Sequence, residues 1–404
     1  MKRFLACICF FLIFNLIGVA VFFFIWGRGT RFDMPASSLV VNPRDSKDEG
    51  NPSVPSLVIR DAKPALELNA LFEQKDGWIG GDGAHSVKLS PQRTLWLFSD
   101  SWMGSIRNGK RVDATIVNNV VALQEGHGAQ AKMRFIASHG PDGKPQAFLT
   151  PNDRRGWFWL QAGAIVNRKL YMFLTQLEKT SDPGVFGFRQ IGLWLAVIDN
   201  VQDDPTAWHA EQIKLPCTIF EPKRELTFGA ALLENGDHLY IYGTDEDVNE
   251  EGRDRYLIVA RAQKTTIENV TTWEFFREGQ WQADFAASGR LVKEMASDCS
   301  VTFMSKIKQY VLVYTERGLS ARILARTALE PRGPWSPPAI MYECPEMGQD
   351  KRIFCYNGKA HASMSGGDEM VVSYVANSFD FWHLAADAQL YWPRFVRIGL
   401  KARE

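Results

Sequence analysis

The chain has 404 residues, 46% of them hydrophobic, which is enough apolar material for one large β domain or two ordinary domains and excludes a disordered polypeptide. Lysine plus arginine and aspartate plus glutamate each number 46, so the formal charge is zero. That balance gives no global pull toward nucleic acid, and no nucleic-acid partner is expected.

The first element in chain order is an apolar run from Phe4 to Trp26, broken only by Asn15 and Gly18 and long enough to cross a bilayer. VFFFIW continues past the weak cleavage candidate Gly18-Val19-Ala20, so an uncleaved signal anchor over 1–27 is expected, with a secreted form as the alternative. Lys2 and Arg3 precede the run and Arg28 and Arg31 follow it. The positive-inside rule then favours a cytoplasmic N-terminus and a hydrophilic bulk on the periplasmic or extracellular side. Residues 28–60, including NPRDSKDEGNPSVPS, read as a flexible tether, and 61–404 as the folded domain. Outside the anchor the cysteines are Cys217, Cys299, Cys344 and Cys355, without metal-binding spacing. In an exported domain Cys344 and Cys355 are spaced for a short-loop disulfide; otherwise they are two buried thiols.

Beyond the tether a pattern recurs five times: a strand of small and β-branched residues, a turn, then a strand ending in aromatics. The instances are GAHSVKL/TLWLFSD, LQAGAIV/KLYMFLT, TFGAALLE/HLYIYGTD, DCSVTFM/QYVLVYTE and KAHASMS/EMVVSYVAN, with turns about 60 to 77 residues apart. Further strand-like runs follow each. A repeated four-strand unit in an all-β chain predicts a five-bladed β-propeller, with a β-sandwich as the structural alternative. The spacing exceeds that of WD40 and kelch repeats, and the sialidase-type Asp box is absent.

In a propeller the start of each inner strand and the end of the second strand meet at one mouth. This gathers Asp82 and Asp100 from blade one, Glu225 and Asp245 from blade three, and Asp298 and Glu316 from blade four. Blade two offers Trp157, Trp159 and Gln161, and blade five Lys359, His361 and Asn377. Facing carboxylates repel, a poor choice for stability alone. They are useful where one acid must hold a proton and another stay ionised, the division of labour in glycoside hydrolysis. Any single acid at a strand end is more simply a turn cap or a solvated rim residue, and their coincidence at one mouth favours function. Asp82, flanked by Gly80, Gly81 and Gly83, is the strongest candidate, and Asp100 follows.

An ion pair with Arg224 or Lys223 would equally explain Glu225. Asp245, in TDEDVNEEGRDR, reads as part of a solvated loop, since the run lacks the glycine of a calcium loop. Asp298 and Glu316 are candidates for binding hydroxyls or tuning a neighbour. His85 and His361 fall in inner strands of adjacent blades, as packing residues or as a pair meeting at the channel. With no third nearby His or Cys, neither zinc nor any other cofactor is expected. Trp102, Trp157 and Trp159 are placed to support sugar rings or to pack between blades.

GGDGAHSVKL with RTLWLFSDSW, and later KAHASMSGGDEMVVSYVANSFDF and LYWPRFVRI, resembles the five-bladed glycosidases of the furanosidase type. The chain is similar over most of residues 70–400 to the domain-of-unknown-function family 4185, which includes endo-D-arabinanases acting on mycobacterial cell-wall arabinan. The resemblance implies catalysis by two first-blade aspartates, Asp82 and Asp100, and, by analogy with arabinanases and invertases, a third-blade general acid at Glu225. FSDS and GDGAHS stand where such proteins often show Phe-Gly-Asp-Thr and Thr-Asp-Leu-Gly. Glu343, in YECPEM, is similar to the invertase Glu-Cys-Pro signature but falls on an outer strand. The expected activity is therefore hydrolysis of a furanoside-containing or other cell-wall or extracellular polysaccharide, and the alternative is a non-catalytic carbohydrate-binding propeller.

Overall fold

The computed structural model describes residues 50–182, 186–249 and 252–401. The expected anchor over 1–27 and the tether as far as residue 49 lie outside them. Among the described residues no helix is long and apolar enough to cross a membrane.

Strand side chains alternate between two faces, and the second strand of each hairpin is apolar on both. In blade one Leu95 and Leu97 point one way and Trp96 and Phe98 the other, all fully buried. A sheet of this kind must be covered on both sides. The chain achieves this with five antiparallel sheets arranged as blades. Blade one runs outward through His85–Ser90, Arg93–Phe98, Val120–Glu125 and Lys132–Ile136, and blade two through Trp157–Val166, Lys169–Lys179, Phe188–Ile198 and Glu211–Leu215. Blade three comprises Arg224–Asn235, His238–Asn249, Gly252–Gln263 and Glu274–Arg277 with short additions at its edges. Blade four is Cys299–Met304, Gln309–Thr315, Arg322–Ala328 and Ala339–Glu343.

Each pair of neighbouring blades encloses its own apolar core. Val87, Leu95 and Leu97 meet Phe158 and Leu160 between blades one and two, and Phe173 meets Phe228 and Trp273 between two and three. Tyr242 packs on Leu312 and Tyr314 between blades three and four. Val311 and Val313, on the other face of that same strand, join Cys355 and Val372 between four and five. The ring closes where Trp96 and Phe98 meet Phe72, Val371 and Phe395. The short helix Leu66–Phe72 contributes Phe72 to this last core.

Blade five departs from the sequence expectation in two ways. Its inner strand is Ile353–Ala360, and KAHASMS supplies only that strand's end before the single helical turn Ala362–Met364. A bulge between Tyr356 and Lys359, with Asn357 at φ 58°, shifts the pairing so that Phe354 faces Asn377 and Lys359 faces Ser373. The outermost strand comes from the other end of the chain: Ile59–Pro64 pairs antiparallel with Pro393–Leu400. Residues 50–58, expected in the tether, instead run along blade four, burying Val54 and Leu57 and bonding Asn51 N–H to the Trp335 carbonyl at 2.8 Å.

Between the second and third strands of blade one the chain inserts Ser101–Arg107 and Lys110–Val117, which join Asp76–Gly81 in a separate three-stranded sheet. Arg111 of this sheet donates to the carbonyls of Leu384, Asp387 and Leu390, tying it to the short helix Phe381–Ala386 and the segment after it. Cys344 and Cys355 are buried thiols beside each other at the boundary of blades four and five.

A chain beginning at Gly50 should fold with an unchanged melting temperature, whereas one beginning at Leu66 loses the strand that closes blade five. Burial of Val54 and Leu57 alone is worth about 1.5–3 kcal/mol each. The shorter chain should therefore melt many degrees lower or aggregate, and equal melting of the two would overturn the closing role of Ile59–Pro64.

Candidate active site

Asp82 and Asp100 occupy the two points where the chain passes between blade one and the three-stranded sheet. The backbone stitches these crossings together: Asp82 N–H donates to the Asp100 carbonyl at 3.2 Å, and Ser99 N–H to the Asp82 carbonyl at 3.0 Å. Glycine is required on both sides of Asp82. A Cβ on Gly80 would lie 2.4 Å from the Tyr391 carbonyl oxygen, and Gly83, at φ 85°, would bring one to 3.1 Å from Ser99 N.

Each carboxylate is held from a different neighbouring blade. Tyr356 of blade five donates its hydroxyl to Asp82 Oδ2 at 2.6 Å, and Asn377 Nδ2 donates in turn to the Tyr356 oxygen at 3.3 Å. The Tyr391 hydroxyl also lies beside Asp82. Asp82 Oδ1 is buried without a well-formed hydrogen bond among the described residues. Asp100 Oδ1 accepts from Trp159 Nε1 of blade two at 2.9 Å and from Asn118 Nδ2 at 3.2 Å.

Burial, the charge of Asp100 and then that of Asp298 push the Asp82 carboxyl up to about 7, against the opposing hydrogen bonds of Tyr356 and Tyr391. Burial also pushes Asp100 up, to about 6, while its Trp159 and Asn118 bonds act the other way. The two titrate as a pair.

Behind them Asp298 behaves oppositely. Burial alone would raise it, but the Lys359 ammonium at 3.5 Å and His85 Nε2 at 3.1 Å outweigh that and hold it well below the usual carboxylate range. Burial, then the Lys359 charge, lowers His85 to about 4, leaving it neutral at pH 7 and a donor to the ionised Asp298. His361 does not meet His85 through a hydrogen bond. Its Nδ1 lies 2.9 Å from Ser86 Oγ and its Nε2 2.8 Å from Ser373 Oγ, among Trp96 and Phe395, as a packing histidine.

An aromatic rim flanks the pair. Trp159 packs edge-on against Phe188 at 4.8 Å, while Tyr356, Phe354 and Phe379 form a second group with centroids 5.4 and 4.5 Å apart. Trp102 is not part of it: it is buried between Phe381 at 5.8 Å and the Arg111 guanidinium at 5.3 Å, because the inserted sheet turns it away. Glu316 is likewise occupied, accepting two bonds from Arg322 at 2.7 Å and one from Ser320. Glu225 pairs with Arg253 at 3.3 Å, the ion-paired alternative with a different arginine. Asp245 does not lie in a solvated loop but is buried between Arg224 and Arg290, each at 2.8 Å.

Sequence reasoning does not single out Tyr356, Tyr391, Asn118 or Asn357. The Asn-Gly pair in CYNGKA is a usable signal for the bulge that aims Tyr356. Among the described residues no group of His, Cys, Asp and Glu is arranged to hold a metal ion.

Residues 65–400 match the family model described as Domain of unknown function (DUF5005). The chain belongs to the DUF5005 family. This replaces the resemblance to family 4185. A candidate hydrolase from Bacteroides ovatus is similar to this DUF5005 chain with a TM-score of 0.65 and 19% identity, over 83% of this chain and 90% of that one. A looser likeness links it to the GH43_1 enzyme of Xanthomonas citri, with a TM-score of 0.43 and 13% identity over 84% and 94% of the two chains. The catalytic domain of the Coprinopsis cinerea GH62 alpha-L-arabinofuranosidase gives 0.45 and 9% over 87% and 100%. No curated protein matched the sequence.

The raised Asp82 carboxyl has a consequence for stability. A folded-state value above the unfolded one favours the protonated form, so its contribution is present below pH 4 and lost as pH rises through about 7. Asp82→Asn cannot ionise, and at pH 8 it should be more stable than the native protein by up to about 4 kcal/mol. At pH 4 the difference should vanish. Calorimetry at the two pH values reads this, and a variant weakened equally at both would show that Asp82 carries no burial penalty.

Proposed function

We propose that the protein is a glycoside hydrolase acting on a furanoside-containing or other cell-wall or extracellular polysaccharide, with Asp82 and Asp100 as its working carboxylates. One observation carries this reading: two acids with raised pKa values meet at a single junction, each fixed by a donor from a different blade. Asp82, the more strongly raised, holds a proton near neutral pH and is the carboxyl that protonates the glycosidic oxygen. Asp100, with two N–H donors on one oxygen, stays ionised to attack the anomeric carbon or to activate a water. Trp159 and Phe188 on one side and Phe379, backed by the buried Phe354, on the other supply flat apolar surface for sugar rings. Asn377 acts through Tyr356, and Glu225 stays with Arg253 at the rim. The apolar run from Phe4 to Trp26 supports tethering of the domain to a membrane on its outer side.

A screen of the folded domain against arabinans and other cell-wall glycans tests the assignment. Asp82→Asn and Asp100→Asn should each lower turnover at least about a hundredfold with binding retained, and Glu225→Gln should have a much smaller effect. On aryl glycosides with good leaving groups the Asp82→Asn loss should shrink, because the departing group then needs no proton. Unchanged turnover in both aspartate variants would remove the hydrolase assignment. Tight glycan binding with no cleavage by the native protein would favour a carbohydrate-binding propeller.

A further inference from the structure

The channel behind the carboxylates holds a buried group that the proposed reaction does not use. Lys359 is 2% exposed and Asn357 6%, and both come from the bulge in the inner strand of blade five. Lys359 Nζ donates to the Gly83 carbonyl. With its amide turned to satisfy its neighbours, Asn357 accepts from Gly83 N–H at 3.0 Å and donates to Asp298 Oδ2 at 2.7 Å. Asp298 therefore receives Asn357 on one oxygen and, on the other, His85 at 3.1 Å and Lys359 at 3.5 Å. The residue next to Asp82 is thus gripped on both its N–H and its C=O by blade five, and both grips are anchored on one carboxylate of blade four.

We propose that Asp298, Lys359 and Asn357 are positioning residues for Asp82: together they clamp the Gly83 peptide and so fix where the Asp82 carboxyl stands. This rests on the hydrolase reading for its purpose but not for its test. A glycine at φ 85° has no side chain to lock it, and where Asp82 is tied on its own N–H and C=O to Asp100 and Ser99, the clamp is what holds the Gly83 peptide that follows. Purely structural closure of the ring would need only apolar contact, which Trp96, Phe98, Val371 and Phe395 already supply between blades five and one. The charged and titratable groups facing Asp82 are Asp100, Asp298, Tyr356, Tyr391 and Lys359. Of these, Asp298 and Lys359 belong to the clamp.

The experiment is a carbon-13 titration of the Asp82 carboxyl in native protein and in Asp298→Asn, with amide exchange at Gly83 followed alongside. Removing the Asp298 charge while leaving Lys359 in place should lower the Asp82 midpoint by about one pH unit or more and speed Gly83 exchange. Because Asp298→Asn leaves a buried ammonium without its counterion, the paired variant Asp298→Asn/Lys359→Met, which strands no charge, is measured as well. It should fold, with Gly83 exchange again faster and the Asp82 midpoint displaced from the native value. Folded variants with an unchanged midpoint and unchanged Gly83 exchange overturn the proposal. Failure of both variants to fold also overturns it, since the cluster would then serve ring closure alone. No substrate enters these measurements, so a protein that cleaves no glycan still decides the clamp.

Discussion

A β-strand that is apolar on both sides forces everything else in this protein. Leu95 and Leu97 on one face and Trp96 and Phe98 on the other cannot all be covered by a single partner sheet, and the same holds for Val311 and Val313 against Leu312 and Tyr314. Each sheet therefore needs a neighbour on either side, and a finite row of such sheets would leave two bare faces at its ends. Closure into a ring removes those faces. Five blades with five intervening cores are that solution, and it leaves the chain with one mechanical problem, how to hold the last blade against the first. Ile59–Pro64, added as the outer strand of blade five, and Phe72, inserted into the core between blades five and one, answer it with residues from the start of the domain.

Closure also decides the electrostatics of the axis. Once inner strands from different blades converge, Asp298 of blade four and Lys359 of blade five have to share a dry space with the first-blade turn that carries Asp82. A lone ion there would be very costly, so the cation and the anion are paired and further tied to His85, Asn357 and the Gly83 peptide. Asp82 and Asp100 are left without a cation of their own. Their donors are the neutral hydroxyl of Tyr356, the indole of Trp159 and the amide of Asn118, which lessen the cost of ionisation without cancelling it. The upward displacement of both carboxyls follows from that difference in partners.

The blades and the carboxylate pair are legible in the sequence because both depend on local pattern. Alternation of apolar residues marks a strand wherever it packs, and the position of Asp82 and Asp100 about one hairpin needs only antiparallel pairing to bring them together. Lys359 and His361 fall at the mouth only if KAHASMS forms a whole inner strand. The bulge at Asn357 displaces that register, and with it the identity of the side chain that reaches Asp82. Trp102 leaves the mouth for a different reason: an inserted hairpin, Ser101–Val117, carries the chain away from blade one as soon as it has passed Asp100. Tyr391 and Asn118 are invisible from local sequence, since their relation to the pair exists only after the inserted sheet and the closing segment have docked through Arg111.

The third acid is where family likeness and geometry part. Analogy places it in blade three, at Glu225, but that carboxylate is engaged with the half-exposed Arg253. The acid that acts on Asp82 through its charge is Asp298, from blade four, and its bonds to Asn357, His85 and Lys359 leave it no freedom to exchange a proton with a substrate. A carboxylate so fixed acts through the groups it anchors and through its field, and a permanent negative charge behind Asp82 favours the protonated form of its neighbour and disfavours a second anion at the junction. Of the three carboxylates only the one that received the lysine is held ionised, and the two without it are both displaced upward.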